Sequence, residues 1–67
     1  MNMKNFEHFY ANVRIKDAEP IRNRIEHMVS AATFNNWRNG TFEPDSRWWP
    51  QINAIAQDFG YDKVYVV

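Results

Sequence analysis

The sequence predicts an all-α fold, a compact four-helix domain, and three observations carry that prediction. Apolar residues recur at three-and-four spacing in separate stretches, capping residues and glycines bracket those stretches, and eleven aromatic side chains are available to fill the interior of a 67-residue chain. A chain of this length buries only about 60% of the surface it exposes when unfolded, so its core has to be dense or shared with a partner. The rings supply that density. Cysteine is absent, which excludes a disulfide framework and thiolate metal sites.

Each element can be justified in turn. Phe6, Phe9, Tyr10 and Val13 share one helical face, with Asn5, Glu7, His8 and Asn12 between them, predicting a helix from about Lys4 to Arg14. Asp17 suits the cap of a second helix. Glu19 and Pro20 then fall in its first turn, where the amide that proline lacks would have no intrahelical acceptor. The stripe of this helix is Ile21, Ile25 and Met28 or Val29. Ser30 caps a third helix, residues 31–39, by accepting an amide hydrogen bond from Ala32 or Thr33. Phe34 and Trp37 point inward from it as core, and Gly40 ends it by taking the left-handed conformation. Its other residues, Ala31, Ala32, Thr33, Asn35, Asn36 and Asn39, include nothing large and apolar enough to need burial.

Thr41 to Asp45 is a loop, after which Ser46 or Trp49 caps a fourth helix with Pro50 in its first turn. Trp49, Ile52, Ile55, Ala56 and Phe59 form its stripe and Gly60 closes it. Adjacent tryptophans on a helix cannot both face one core, so Trp49 is expected inside and Trp48 partly exposed. The tail YDKVYVV is rich in strand formers, which suits an edge strand, a dimer contact or an ordered extension. Residues 1–61 thus read as one domain and 62–67 as a C-terminal extension.

Eight basic residues balance eight acidic ones, so no global field gathers a polyanion around the chain. His8 and His27 lack a second ligand at the three- or four-residue spacing of helical metal sites. No serine has an evident base, and two glycines cannot build a phosphate-cradling loop. No enzymatic activity, cofactor or small-molecule substrate is expected. No apolar run approaches the roughly 18 residues that span a bilayer, and MNMKNFEHFYANVRIK does not read as a cleavable signal, so a cytoplasmic protein without a membrane partner is expected. Asn39-Gly40-Thr41 matches a glycosylation sequon, which carries little weight without an export signal. An Asn-Gly hairpin is rejected because FNNW and TFEP do not alternate as strands and Pro44 arrives too soon.

The pattern Val29-Ser30, Thr33-Phe34, Trp37, Asn39-Gly40 and Pro44, followed by Ile55-Ala56 and Phe59-Gly60, resembles the helix-turn-helix domains of the Cro/repressor (Xre-like) family over about Ile21 to Tyr61. The resemblance implies a small helical bundle, its helix-turn-helix core at about residues 21–40, in which the second helix braces a third that enters the major groove of double-stranded DNA. The interval from Pro44 to Ile55-Ala56 is longer than the family's, which suggests an added turn carrying Trp48 and Trp49.

Carried onto this sequence, the resemblance implies base contacts by Ala31, Ala32, Thr33 and Asn36. Asparagine pairs bidentately with adenine, while alanine and the threonine methyl meet the thymine methyl, a set that leans toward A·T-containing sites. Arg38, Asn39 and Thr41 flank the glycine turn where family members often meet the DNA backbone. Asn35, Arg14, Lys16, Arg22, Arg24 and Arg47 are further backbone candidates. The plainer reading makes all of these ordinary solvated residues, and Glu19–Arg22 and Arg22–Glu26 have the spacing of local pairs that would divert an arginine. With few cations a monomer binds weakly, which favours a homodimer on paired half-sites. The expectation is therefore a sequence-specific transcriptional regulator of bacterial or phage type. Its competitor is a protein-interaction module on the same scaffold, using Trp48, Tyr61 or the VYVV tail. RNA binding ranks third, because the aromatics read as core and lack a strand platform.

Overall fold

A computed structural model describes residues 4–66; the ends of the two predicted ranges, residues 1–3 and 67, lie outside the described residues. Five elements follow one another: α1 (Asn5–Ala11), α2 (Ile15–Glu26), α3 (Ala31–Arg38), a 3-10 turn (Ser46–Trp48) and α4 (Trp49–Asp58). The fold is all-α, with no strand among the described residues. Phe6 of α1, Ile21 and Ile25 of α2, Phe34 and Trp37 of α3, and Ile52 and Ile55 of α4 meet in one core, which Tyr65 joins from the tail. The 3-10 turn carries Trp48, while Trp49 opens α4 itself.

The first two helices divide differently from the prediction. α1 stops at Ala11 and α2 starts at Ile15, so Arg14 rather than Asp17 is the N-cap residue. The cause is distant in sequence. The Tyr61 hydroxyl accepts the Arg14 backbone N–H at 2.9 Å and Arg14 Nε at 3.0 Å, and the guanidinium lies 4.8 Å from the Tyr61 ring centroid. Arg14 is thereby held extended, and its carbonyl accepts the amides of Asp17 and Ala18. Asp17 falls within the first turn, buried, and accepts hydrogen bonds from the Tyr61 hydroxyl at 2.8 Å and from Arg14 Nε at 2.9 Å. Pro20 consequently sits inside α2 rather than in its first turn, and the Lys16 carbonyl lacks the amide that would otherwise meet it.

The Tyr61 hydroxyl holds the Asp17 carboxyl below its ordinary value of 3.8, with Arg14 assisting, against the burial that would raise it. A depressed carboxyl contributes stability that is fully present above the ordinary value and is lost as the pH falls through the lower folded value. Asp17→Asn is therefore expected to lower Tm near neutral pH, with the gap to the unaltered protein closing as the pH drops below 3.8. Thermal melts of both proteins across the acid range check this, and a constant gap would contradict it.

α3 obeys its local signals. The Ser30 hydroxyl accepts the Thr33 amide at 3.2 Å. At the other end Gly40 (φ 79°) is left-handed, its amide bonding the Trp37 carbonyl while the Thr41 amide returns to the Asn36 carbonyl. This paired closure satisfies the last carbonyls of the helix. α4 closes in the same way, Gly60 bonding Gln57 and Tyr61 bonding Ala56.

The tail is an ordered extension and not an edge strand. Asn53, a buried amide within the apolar stripe of α4, accepts the amides of Val64 and Tyr65 at 2.8 and 2.9 Å and donates Nδ2–H to the Tyr65 carbonyl at 2.8 Å. The Tyr65 ring then stacks on Trp49, centroids 4.6 Å apart and planes within 3°. Neither tryptophan is fully inside, contrary to the expectation for Trp49. Trp49 is half-buried beneath Tyr65 and donates its indole N–H to the Pro44 carbonyl. Trp48 is half-buried against Trp37.

Candidate nucleic-acid interface

Successive residues of a helix project about 100° apart, so burial of Phe34 and Trp37 turns Ala32 and Asn39 directly outward, with Asn35 and Asn36 on either side of them. Exposure follows this arrangement: Ala31, Ala32, Arg38, Asn39 and Thr41 are exposed, while Thr33, Asn35 and Asn36 are half-buried at the margins. The Thr33 hydroxyl accepts from Ser30 Oγ at 3.1 Å, leaving its own hydrogen to donate outward. Among the described residues no buried side-chain nitrogen or oxygen lacks a partner. The side-chain amides of Asn35, Asn36 and Asn39, which bond to no other described residue, therefore face water. The residues carrying the predicted base contacts share one short helix fixed at both ends.

One margin of this face opens into a groove of about 330 Å³. Thr33, Asn36 and Trp37 form its α3 side, and Phe42, Arg47 and Trp48 form the other. Phe42 is 61% exposed, a large apolar ring left in water. Arg47 lies with its guanidinium 5.2 Å from the Trp48 ring centroid and 3.9 Å from Asp45. Stacking restrains the guanidinium while leaving its in-plane donors open.

Carboxylates also reach the rim of the groove, at Glu43 and Asp45. The Glu43 carboxylate is engaged within the fold. It accepts the amides of Asn5 and Phe6 at 3.2 Å each, and the Tyr65 hydroxyl donates to it. Two carboxylates cap α1: Glu7, one turn in, accepts the Lys4 amide at 3.3 Å, and Glu43 takes the next two amides from across the chain. Burial, followed by the hydrogen bond to Glu43, pushes the Tyr65 hydroxyl far above the ordinary tyrosine range and keeps it a donor.

The cations divide into two groups. Arg14 is the most engaged of the expected backbone contacts: its guanidinium bonds Asp17, Tyr61 and the Phe59 carbonyl, all within its own fold. Arg22 pairs with Glu26 at 2.6 Å, as its spacing suggested, and Arg24 pairs with Asp58 at 2.9 Å. Such partly exposed pairs are worth only about 0–1 kcal/mol, so either arginine can exchange its partner for a phosphate. Arg22 is also placed beside α3, its guanidinium 5.6 Å from the Phe34 ring centroid. Lys16 and Arg38 are exposed and make no ion pair among the described residues.

Sequence reasoning missed Glu43, Asn53, Tyr61 and Tyr65 as the groups that organise this surface. Asn53 alone carried a signal, a lone amide between apolar positions of α4. Among the described residues there is no cluster of three metal-ligating side chains, and no helix is long and apolar enough to cross a membrane. No family model, curated protein or solved structure matches the chain.

Proposed function

We propose that the chain is a sequence-specific DNA-binding domain of helix-turn-helix type, a regulator in which α3 enters the major groove. Ala31, Ala32, Thr33 and Asn36 then read base edges, and Lys16, Arg22, Arg38 and Arg47 hold phosphates. The observation that carries this reading is the two-sidedness of α3: Phe34 and Trp37 are buried while a face of alanines and unengaged amides is held rigid toward solvent. A groove-reading helix requires such a face, because side chains already bonded within the protein cannot be offered to base edges. A competing interaction module would have to use Val66 of the tail, which is exposed, or Phe42 beside the half-buried Trp48, since Tyr61 and Tyr65 are engaged inside the fold.

Selection from a randomised duplex pool, followed by fluorescence polarisation on the selected and scrambled duplexes at low salt, tests the reading. The selected duplex is expected to bind at least about tenfold tighter, and Asn36→Ala to cost about 1–3 kcal/mol on that duplex alone. Arg38→Ala is expected to weaken both duplexes alike and to lower the salt slope by about 1. Equal and very weak binding to both duplexes, or a selection that returns no consensus, would count against base readout.

A further inference from the structure

The segment that follows α3 is bonded to Lys4 at Thr41, to the start of α1 and the C-terminal tail at Glu43, and to Trp49 at Pro44. Asn53 fixes the backbone of Val64 and Tyr65, and Trp49 fixes the Tyr65 ring, so the Tyr65 hydroxyl arrives at Glu43 from a rigid support. The other two bonds to Glu43, from the amides of Asn5 and Phe6, are 3.2 Å long, at the weak end of the usual range. Glu43 belongs to the same short segment as Phe42 and Asp45 and contributes to the rim of the groove that Asn36 lines. Its carboxylate is one of three near α3, with Asp45 at the groove and Glu7 beside Gly40.

We propose that Tyr65 is a positioning residue for the α3 surface: it latches the Glu43 carboxylate back onto α1, keeping that charge off the groove and away from bound phosphates. The proposal rests on the DNA reading above. A carboxylate released toward a phosphate backbone repels it, an effect that is strongest at low salt and is screened as salt rises. The latch joins a tail residue to the DNA-facing side without touching DNA itself.

Tyr65→Phe tests this with little danger to the fold, since the ring stack and the Asn53 bonds to the backbone survive. Without nucleic acid, the amide resonances of Phe42, Glu43, Asp45 and Asn36 are expected to move in this variant while those of Ile21 and Ile25 stay in place. With the selected duplex, binding is expected to weaken by about 3-fold at low salt and to converge on the unaltered protein as salt rises. Adding Glu43→Gln removes the charge, and Tyr65→Phe/Glu43→Gln is expected to regain the lost affinity. A purely structural role predicts the opposite, a double variant no better than the single one. That result, or unmoved loop resonances in Tyr65→Phe, overturns the latch. If the unaltered protein binds no duplex, the function reading fails and the DNA role of the latch with it, while the loop resonances still decide whether the latch exists.

Discussion

Phe6→Ala is expected to leave the chain largely unfolded at ambient temperature. Phe6 is fully buried, and its ring lies 6.0, 6.3, 6.1 and 5.7 Å from those of Phe9, Tyr10, Phe34 and Trp37. Truncating a buried phenylalanine costs about 3–5 kcal/mol. At about 0.05–0.15 kcal/mol per residue, a domain of this size holds only about 3–10 kcal/mol in total. α1 has seven residues, too few to persist as an isolated helix, so it depends on its packing, of which Phe6 is the only fully buried part. Near-UV circular dichroism and urea titration measure the result. A cooperative transition within about 1 kcal/mol of the unaltered protein would show that α1 is dispensable to the core.

The second large effect is expected from Asn53→Ala. That side chain satisfies two amides and one carbonyl of the tail in a buried site. Its removal leaves those groups either unpaired, at about 1–3 kcal/mol each, or released to water together with the tail. Release is the cheaper outcome, and it withdraws Tyr65 from Trp49 and from Glu43. The expected result is a loss of about 2–4 kcal/mol, accompanied by a change in the Trp49 emission. Asn53→Asp keeps the acceptor but loses the donor, and should fall between the two proteins near neutral pH. Unchanged stability and emission in Asn53→Ala would mean that the tail is held by its ring alone.

The contrast between α3 and α2 shows how much of the fold was legible. α3 was readable nearly to the residue because its boundaries are local: Ser30 bonds an amide three positions away and Gly40 closes the turn it follows. The start of α2 was not, since it is set by Tyr61, 47 positions from the amide it holds. Asp17 had the right identity for a cap but was drawn into a buried bond instead. The tail followed the same rule. Strand-forming residues there express a propensity that Asn53 and Trp49 override by offering specific partners.

The candidate site divides along the same line. The outward face of α3 followed from periodicity, because two aromatic residues three apart fix the orientation of an eight-residue helix. The cations did not follow. Spacing identified the Arg22–Glu26 pair, yet Arg24–Asp58 and the triple engagement of Arg14 join residues that only folding brings together. Composition showed zero net charge, and no count of residues could have revealed that the Glu43 carboxylate is bonded to the first amides of α1.

Pro20 removes one rung from the hydrogen-bond ladder of α2, a helix that otherwise runs without a break from Ile15 to Glu26. Because the proline donates nothing to the Lys16 carbonyl, the ladder is interrupted between the opening turn, tethered by Arg14 and Asp17, and the stretch that carries Ile21 and Ile25 into the interior. The opening turn is instead secured from outside the helix, Asp17 by the Tyr61 hydroxyl and the Ala18 carbonyl by the Tyr10 hydroxyl, so the rung lost at Pro20 is offset by bonds to two other parts of the chain.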